Sequence, residues 1–269
     1  MDAQDFENGL KNMLGFDEAR RAENVDYILH PRKKIRMGSV LTDLAGQSRT
    51  RGVYAYFVER NVLAMKQHFH VATKLTLASV GQDGGESFSV ADSFLYGLLS
   101  DSAEVISALA NVETAELVRE RDNPLWPRFH VHMLQLAIRG EEAALQAKIE
   151  KLARSGKKPW RDECAAGKDF YSLLLKRDKA GLEELIQNNH ARIKAADVRI
   201  ESVMSYLGTL EAKLCWIKKI PVQIDSPLLP MELMPVEPPT HYDNEYEFLK
   251  PGWTPASEGI VGKLARWFK

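Results

Sequence analysis

Helical periodicity limits what this chain can fold into more than any other feature, because it fills long windows and leaves few strand patterns beside it. In ESVMSYLGTLEAKLCWIKK (residues 201–219), Val203, Leu207, Leu210, Leu214 and Ile217 recur at the steps of one helix face. Glu201, Glu211, Lys213 and Lys218 are expected to point elsewhere. From Val53 to Val80 the apolar residues cover more than one face, which predicts a central helix packed on several sides.

A weak repeat runs between Ser89 and Asn189. FLYGLLSDSAEVISALA, MLQLAIRGEEAALQAKIEKLA and FYSLLLKRDKAGLEELI each show an apolar helix end, a two-residue polar break and a second amphipathic helix. The breaks are Ser100-Asp101, Arg139-Gly140 and Lys176-Arg177, roughly 40 residues apart, in the range of two-helix repeat units. Such units stack so that each buries its neighbour's apolar face. Strand signals reduce to IPVQI (220–224) and KIRMGSVL (34–41). The expected fold is therefore all-α, an irregular stack of helix pairs like a solenoid or bundle. An N-terminal helical segment (1–50) precedes the stack (51–219), and a mostly non-helical, proline-rich tail (220–269) follows, ending in a short amphipathic helix, EGIVGKLARWFK.

The tail opens on IPVQIDSPLLPMELMP, which no unbroken helix can cross, since proline lacks the amide donor and clashes with the preceding turn. Ile220, Val222 and Ile224 are expected to lie extended along the last helix. Ser226 then caps a turn that presses Leu228, Leu229, Met231 and Leu233 on the core, covering the open end of the stack.

Chemistry is sparse. Lys+Arg (36) and Asp+Glu (37) nearly cancel, so no electrostatic footprint for nucleic acid or a membrane surface stands out. Two cysteines cannot make a disulfide framework or a full cysteine metal site, and with no apolar leader or span the expectation is a cytoplasmic protein. His68-Phe69-His70 and His130-Val131-His132 invite a metal reading, but residues two apart on a helix diverge by roughly 200°. No metal or cofactor is expected. The glycine-rich GQDGGES (81–87) follows a helix and carries two acids, which suits a loop better than a phosphate cradle. Cys164 has acidic neighbours, which raise a thiol pKa. The chain is read as not an enzyme.

Surface features point to binding. HPRKKIR (30–36) is a basic loop. HYDNEYEF (241–248) sets tyrosines among carboxylates, and Tyr242, Asp243, Glu245, Tyr246 and Glu247 are candidates for contact with a basic partner. The bland reading is an acidic loop whose tyrosines pin it to the core.

The long helix, the short V-x-I run and DSPLLPMEL together resemble the C-terminal signature of the immunity protein 49 family. LLLKRDKAGLEELI and its counterpart at LLSDS are also similar to that family, over about residues 90 to 235. Members are bacterial proteins encoded beside polymorphic or contact-dependent toxins. The resemblance implies a protein that binds and neutralises a cognate toxin domain in the producing cell's cytoplasm, with no catalytic residues to carry over. Two alternatives stay open: a helical-repeat adaptor for other protein partners, and an enzyme assembled from His68, His132, Glu59 and Asp92.

Overall fold

Single left-handed residues organise the chain. The computed structural model describes residues 3–32, 34–192, 199–200 and 202–254. Residues Arg60, Asp101, Gly140, Arg177 and Lys219 all adopt positive φ, between 55° and 78°. Positions 60, 101, 140, 177 and 219 fall at intervals of 41, 39, 37 and 42 residues, so the repeat seen three times in the sequence spans five units. A left-handed residue ends a helix by turning its backbone away from the axis.

After α1 (Ala3–Leu29) the first unit is α2 (Met37–Phe57) and α3 (Val62–Ser79), followed by α4 (Asp92–Leu99) and α5 (Ala103–Asn111). A linking α6 (Ala115–Glu120) leads to α7 (Pro127–Arg139) and α8 (Glu142–Ser155). A second link, α9 (Trp160–Ala165), leads to α10 (Phe170–Lys176) and α11 (Lys179–Leu185), which runs into a π-helical turn at Ile186–His190. The fifth unit is α12 (Tyr206–Ile217) with an extended tail in place of its second helix. Among the described residues no β-strand forms, and the fold is all-α. The terminal amphipathic helix expected over 258–269 lies outside the described residues.

Local chemistry starts the helices where they start. Asn61, Thr114, Asp169, Asp178 and Ser205 each accept the amide of the residue three further on, at α3, α6, α10, α11 and α12. Pro127 stands at the first turn of α7, where its missing N–H has no cost.

Several expectations need correcting. The window Val53–Val80 is two helices, because Arg60 turns left-handed and Asn61 restarts the chain. KIRMGSVL is no strand, since Met37–Leu41 form the first turns of α2. The division drawn at residue 51 falls inside α2. Glu211 and Lys213, assigned to a polar face, are buried, because α12 is enclosed on all sides.

Neighbouring units pack in order, α3 on α4, α5 on α7, α8 on α10 and the π turn on α12. The last helix then returns to the second unit, with α12 against α4. The stack is thus curled onto itself, and the tail straps it closed. Ile220, Val222 and Ile224 are buried, contributing about 1.5–3 kcal/mol each. Their backbone finds side chains instead of a second strand. The amide of Gln223 donates to Glu183, and Asp225 exchanges two hydrogen bonds with Gln187, at 2.7 and 2.8 Å. Ser226 makes the expected turn, with Leu229 N donating to its carbonyl at 3.0 Å.

Beyond Pro230 the tail crosses the first units instead of ending as a cover for the last one. Lys213 Nζ, fully buried, donates to the carbonyls of Leu233 (2.8 Å), Met234 (3.2 Å) and Pro235 (3.1 Å). Its counter-ion is the buried Asp101 at 2.6 Å, which also pairs with Lys66 at 2.8 Å and accepts the amide of Glu237 at 3.1 Å. Lys66 in turn donates to Glu237 O at 2.7 Å. Tyr246 and Leu249 then join a second apolar cluster with Ile28 of α1, Leu44 of α2 and Leu75 of α3. Burial pulls the Lys213 ammonium below its ordinary value, and Asp101 works against that pull.

Candidate functional site

The concave side of the curl encloses a cavity of about 530 Å³, within the range of ligand and hot-spot pockets. Its walls come from α7 (His130, Val131, Leu134), α10 (Phe170, Tyr171) and α12 (Tyr206, Leu207, Leu210). Its rim is apolar yet wet. Trp126 and Trp160 are 49% and 48% exposed, and Leu125 and Val90 beside them 50% and 51%. The Trp160 ring meets the His130 imidazole edge-on at 3.9 Å.

Trp126 occupies the N-cap of α7, where Ser, Asp or Asn would satisfy an amide and an indole makes no capping bond. A helix start without its cap and a large ring left in water are both unfavourable for stability. The position is therefore accounted for better by what the ring can touch than by what it holds up.

Polar groups converge deeper in. The π-helical turn carries His190 onto the buried Glu211 of α12, and the two are hydrogen-bonded. Ser205, the cap of α12, donates to His190 O at 2.6 Å, while its own amide donates to Leu228 O at 2.7 Å, so the tail braces this turn. Extra-residue turns of this kind occur disproportionately at functional sites. Burial pulls His190 down, but the Glu211 carboxylate outweighs it and holds the imidazole above its ordinary value. Burial pushes Glu211 itself up. Tyr206 is pushed up to about 12, chiefly by burial. Asp169 also lines the cavity, with its carboxylate engaged by the amide and hydroxyl of Ser172. Glu163 lines it half-buried and makes no direct ion pair among the described residues, though its charge helps to hold the His190 imidazole up. The Cys164 thiol is driven up by burial and then by Asp169, so it is a poor nucleophile.

The residues singled out in the sequence lie elsewhere or apart. Tyr242 stacks on His70 at 4.5 Å and donates its hydroxyl to Ser100 O. Tyr246 is buried and accepts from Arg21 Nε at 2.9 Å, and Glu245 pairs with Arg21 and, at 3.1 Å, with Arg51. Asp243 and Glu247 stay at the surface, Asp243 capping the Glu245 amide at 3.0 Å and Glu247 paired with Lys250 at 2.6 Å. The segment thus fastens the strap with its tyrosines and with Glu245, and all three of its acids are exposed residues.

His68 and Glu59 share a smaller hollow of about 420 Å³ with Glu18 and Arg51, but His132 and Asp92 are not part of it. Burial pulls His68, His70, His130 and His132 all down to about 4. Among the described residues no three metal-ligating side chains gather, and no helix is long and apolar enough to cross a membrane.

No family model, curated protein or solved structure matches the chain.

Proposed function

We propose that this is a binding protein of the immunity type, which neutralises a toxin domain by receiving part of it in the aromatic-rimmed cavity. The observation that carries this reading is the pair of half-exposed tryptophans set around a deep hollow on a strapped helical frame. Tight protein contacts concentrate their energy in such anchors, aromatic rings around a pocket that excludes water. Every residue lining the cavity falls between Val90 and Glu211, inside the span that resembles immunity protein 49 sequences. The surface acids Asp243 and Glu247 are a secondary candidate for attracting a basic partner.

The test is co-expression with the toxin domain encoded beside the gene. Rescued growth and a stable one-to-one complex on gel filtration are expected, and Trp160→Ala should weaken that complex. No rescue and no complex would overturn the reading. The five-unit repeat supports the adaptor reading as the second choice. Its signature is saturable binding of several purified, unrelated proteins at the same face.

A further inference from the structure

We infer that the cavity is built for a cationic side chain, a guanidinium or ammonium on an aliphatic stem, presented by the protein partner. This inference rests on the binding-protein reading above and adds the chemistry of what enters.

Three carboxylates line the cavity, Glu163, Asp169 and Glu211, against Lys157, which is exposed at the rim, and His190, which Glu211 holds above its ordinary value. Glu211 already has His190, and Asp169 already has Ser172. Glu163 is half-buried at the cavity, its charge acts on His190 without a direct ion pair among the described residues, and its carboxylate is open to an incoming cation.

The walls suit the same visitor. Trp126 and Trp160 stand half-exposed at the rim and Tyr171 lines the wall, and a guanidinium is held both by aromatic rings and by a carboxylate. An anionic group would meet the carboxylates of Glu163 and Asp169, since Glu211 is taken up by His190. A purely apolar one would leave the half-buried Glu163 carboxylate without a direct partner. The rim argues for a macromolecular source: Leu125, Trp126, Trp160 and Val90 extend the apolar surface outside the hollow, where a small ligand could not cover it but a partner's surface could.

The test uses the whole chain, labelled with ¹⁵N-tryptophan, and three matched probes: hexylguanidinium, hexanol and hexanoate. Shifts of the Trp126 and Trp160 indole signals should report hexylguanidinium binding at least about tenfold tighter than hexanol, with hexanoate weakest. Glu163→Gln should remove most of that preference, while Glu184→Gln, an exposed acid on α11 outside the cavity, should not. Equal binding of hexanol and hexylguanidinium, or a preference for hexanoate, would overturn the inference on the unmutated protein alone.

The two proposals fail separately. A guanidinium preference with no captured toxin removes the immunity reading and leaves the cavity's chemistry. A toxin complex indifferent to both Glu163→Gln and Trp160→Ala removes the cavity inference and the cavity as the docking site, and leaves immunity through another surface.

Discussion

Replacing Asp101 with Asn puts the strap to the most direct test. Asp101 adopts φ of 59°, a region Asn tolerates, so the backbone of the α4–α5 turn should survive the change. What is lost is the one negative charge between two buried ammoniums, Lys213 at 2.6 Å and Lys66 at 2.8 Å. The carbonyls of Leu233, Met234, Pro235 and Glu237 still accept from the two lysines, but dipoles do not cancel net charge. Removing one member of a buried pair costs about 3–5 kcal/mol, because the partner stays buried and uncompensated. Against a typical total of about 5–15 kcal/mol, that is a large share of the fold. Urea unfolding followed by far-ultraviolet circular dichroism should show it as a lower midpoint, and Tm should fall by roughly 10 °C. Lys213→Met should then cost less in the Asp101→Asn background than alone, since it removes one of the stranded charges. A loss below about 1 kcal/mol for Asp101→Asn, or strictly additive effects, would refute the claim that this network holds the strap.

Further expectations follow from the same contacts. His68, His70, His130 and His132 stay neutral in the fold down to about 4, whereas the unfolded chain takes up protons near 6.5, so stability should decline as pH falls between those values. The upper bound is about 1.4 kcal/mol per pH unit for each histidine; the raised His190–Glu211 pair runs the other way but is outnumbered, and an unchanged urea midpoint from pH 7 to 5 would contradict this. Gly52→Ala would set a Cβ 2.4 Å from the Phe69 ring and should destabilise by about 1–3 kcal/mol in the same assay. Tyr242→Phe removes one hydrogen bond to Ser100 O but keeps the stack on His70, for a loss of about 1 kcal/mol in thermal denaturation. Trp126→Ser places a capping residue at the start of α7 and should hold or raise stability by up to about 1 kcal/mol, while weakening capture of the partner.

The sequence made some of this legible and hid the rest for physical reasons. The three polar breaks in the middle of the chain were readable because Asp101, Gly140 and Arg177 interrupt apolar helix ends. The first and fifth units were not, because Arg60 and Lys219 are ordinary side chains in a left-handed conformation that composition does not signal. The extended tail followed from its prolines, but its path over α1 to α3 depends on Lys66, Gln67, Lys74 and Arg21, between 170 and 225 residues away. Lys213 read as a surface lysine, since no local pattern shows that α12 is enclosed and that Asp101 waits beside it.

The cavity left the faintest trace. Its parts come from six separate stretches, and His190 reaches Glu211 only through a π turn that no periodicity announces. One signal was present: Trp126 in PLWP, a tryptophan immediately before a helix-starting proline, where a small capping residue would be expected.

The strap also sets a clock. Lys66 meets Glu237, and Gln67 meets Asp243, across 171 and 176 residues of chain. At about 5–20 residues per second, a ribosome needs roughly 10–30 s to make the stretch between them. Throughout that interval α2 and α3 exist without the segment that ties them to the later units, and the turn bearing His190 lacks its brace at Leu228. The hollow is therefore finished late in synthesis, and a nascent chain stopped short of the strap would present its apolar walls to chaperones before the pocket was complete.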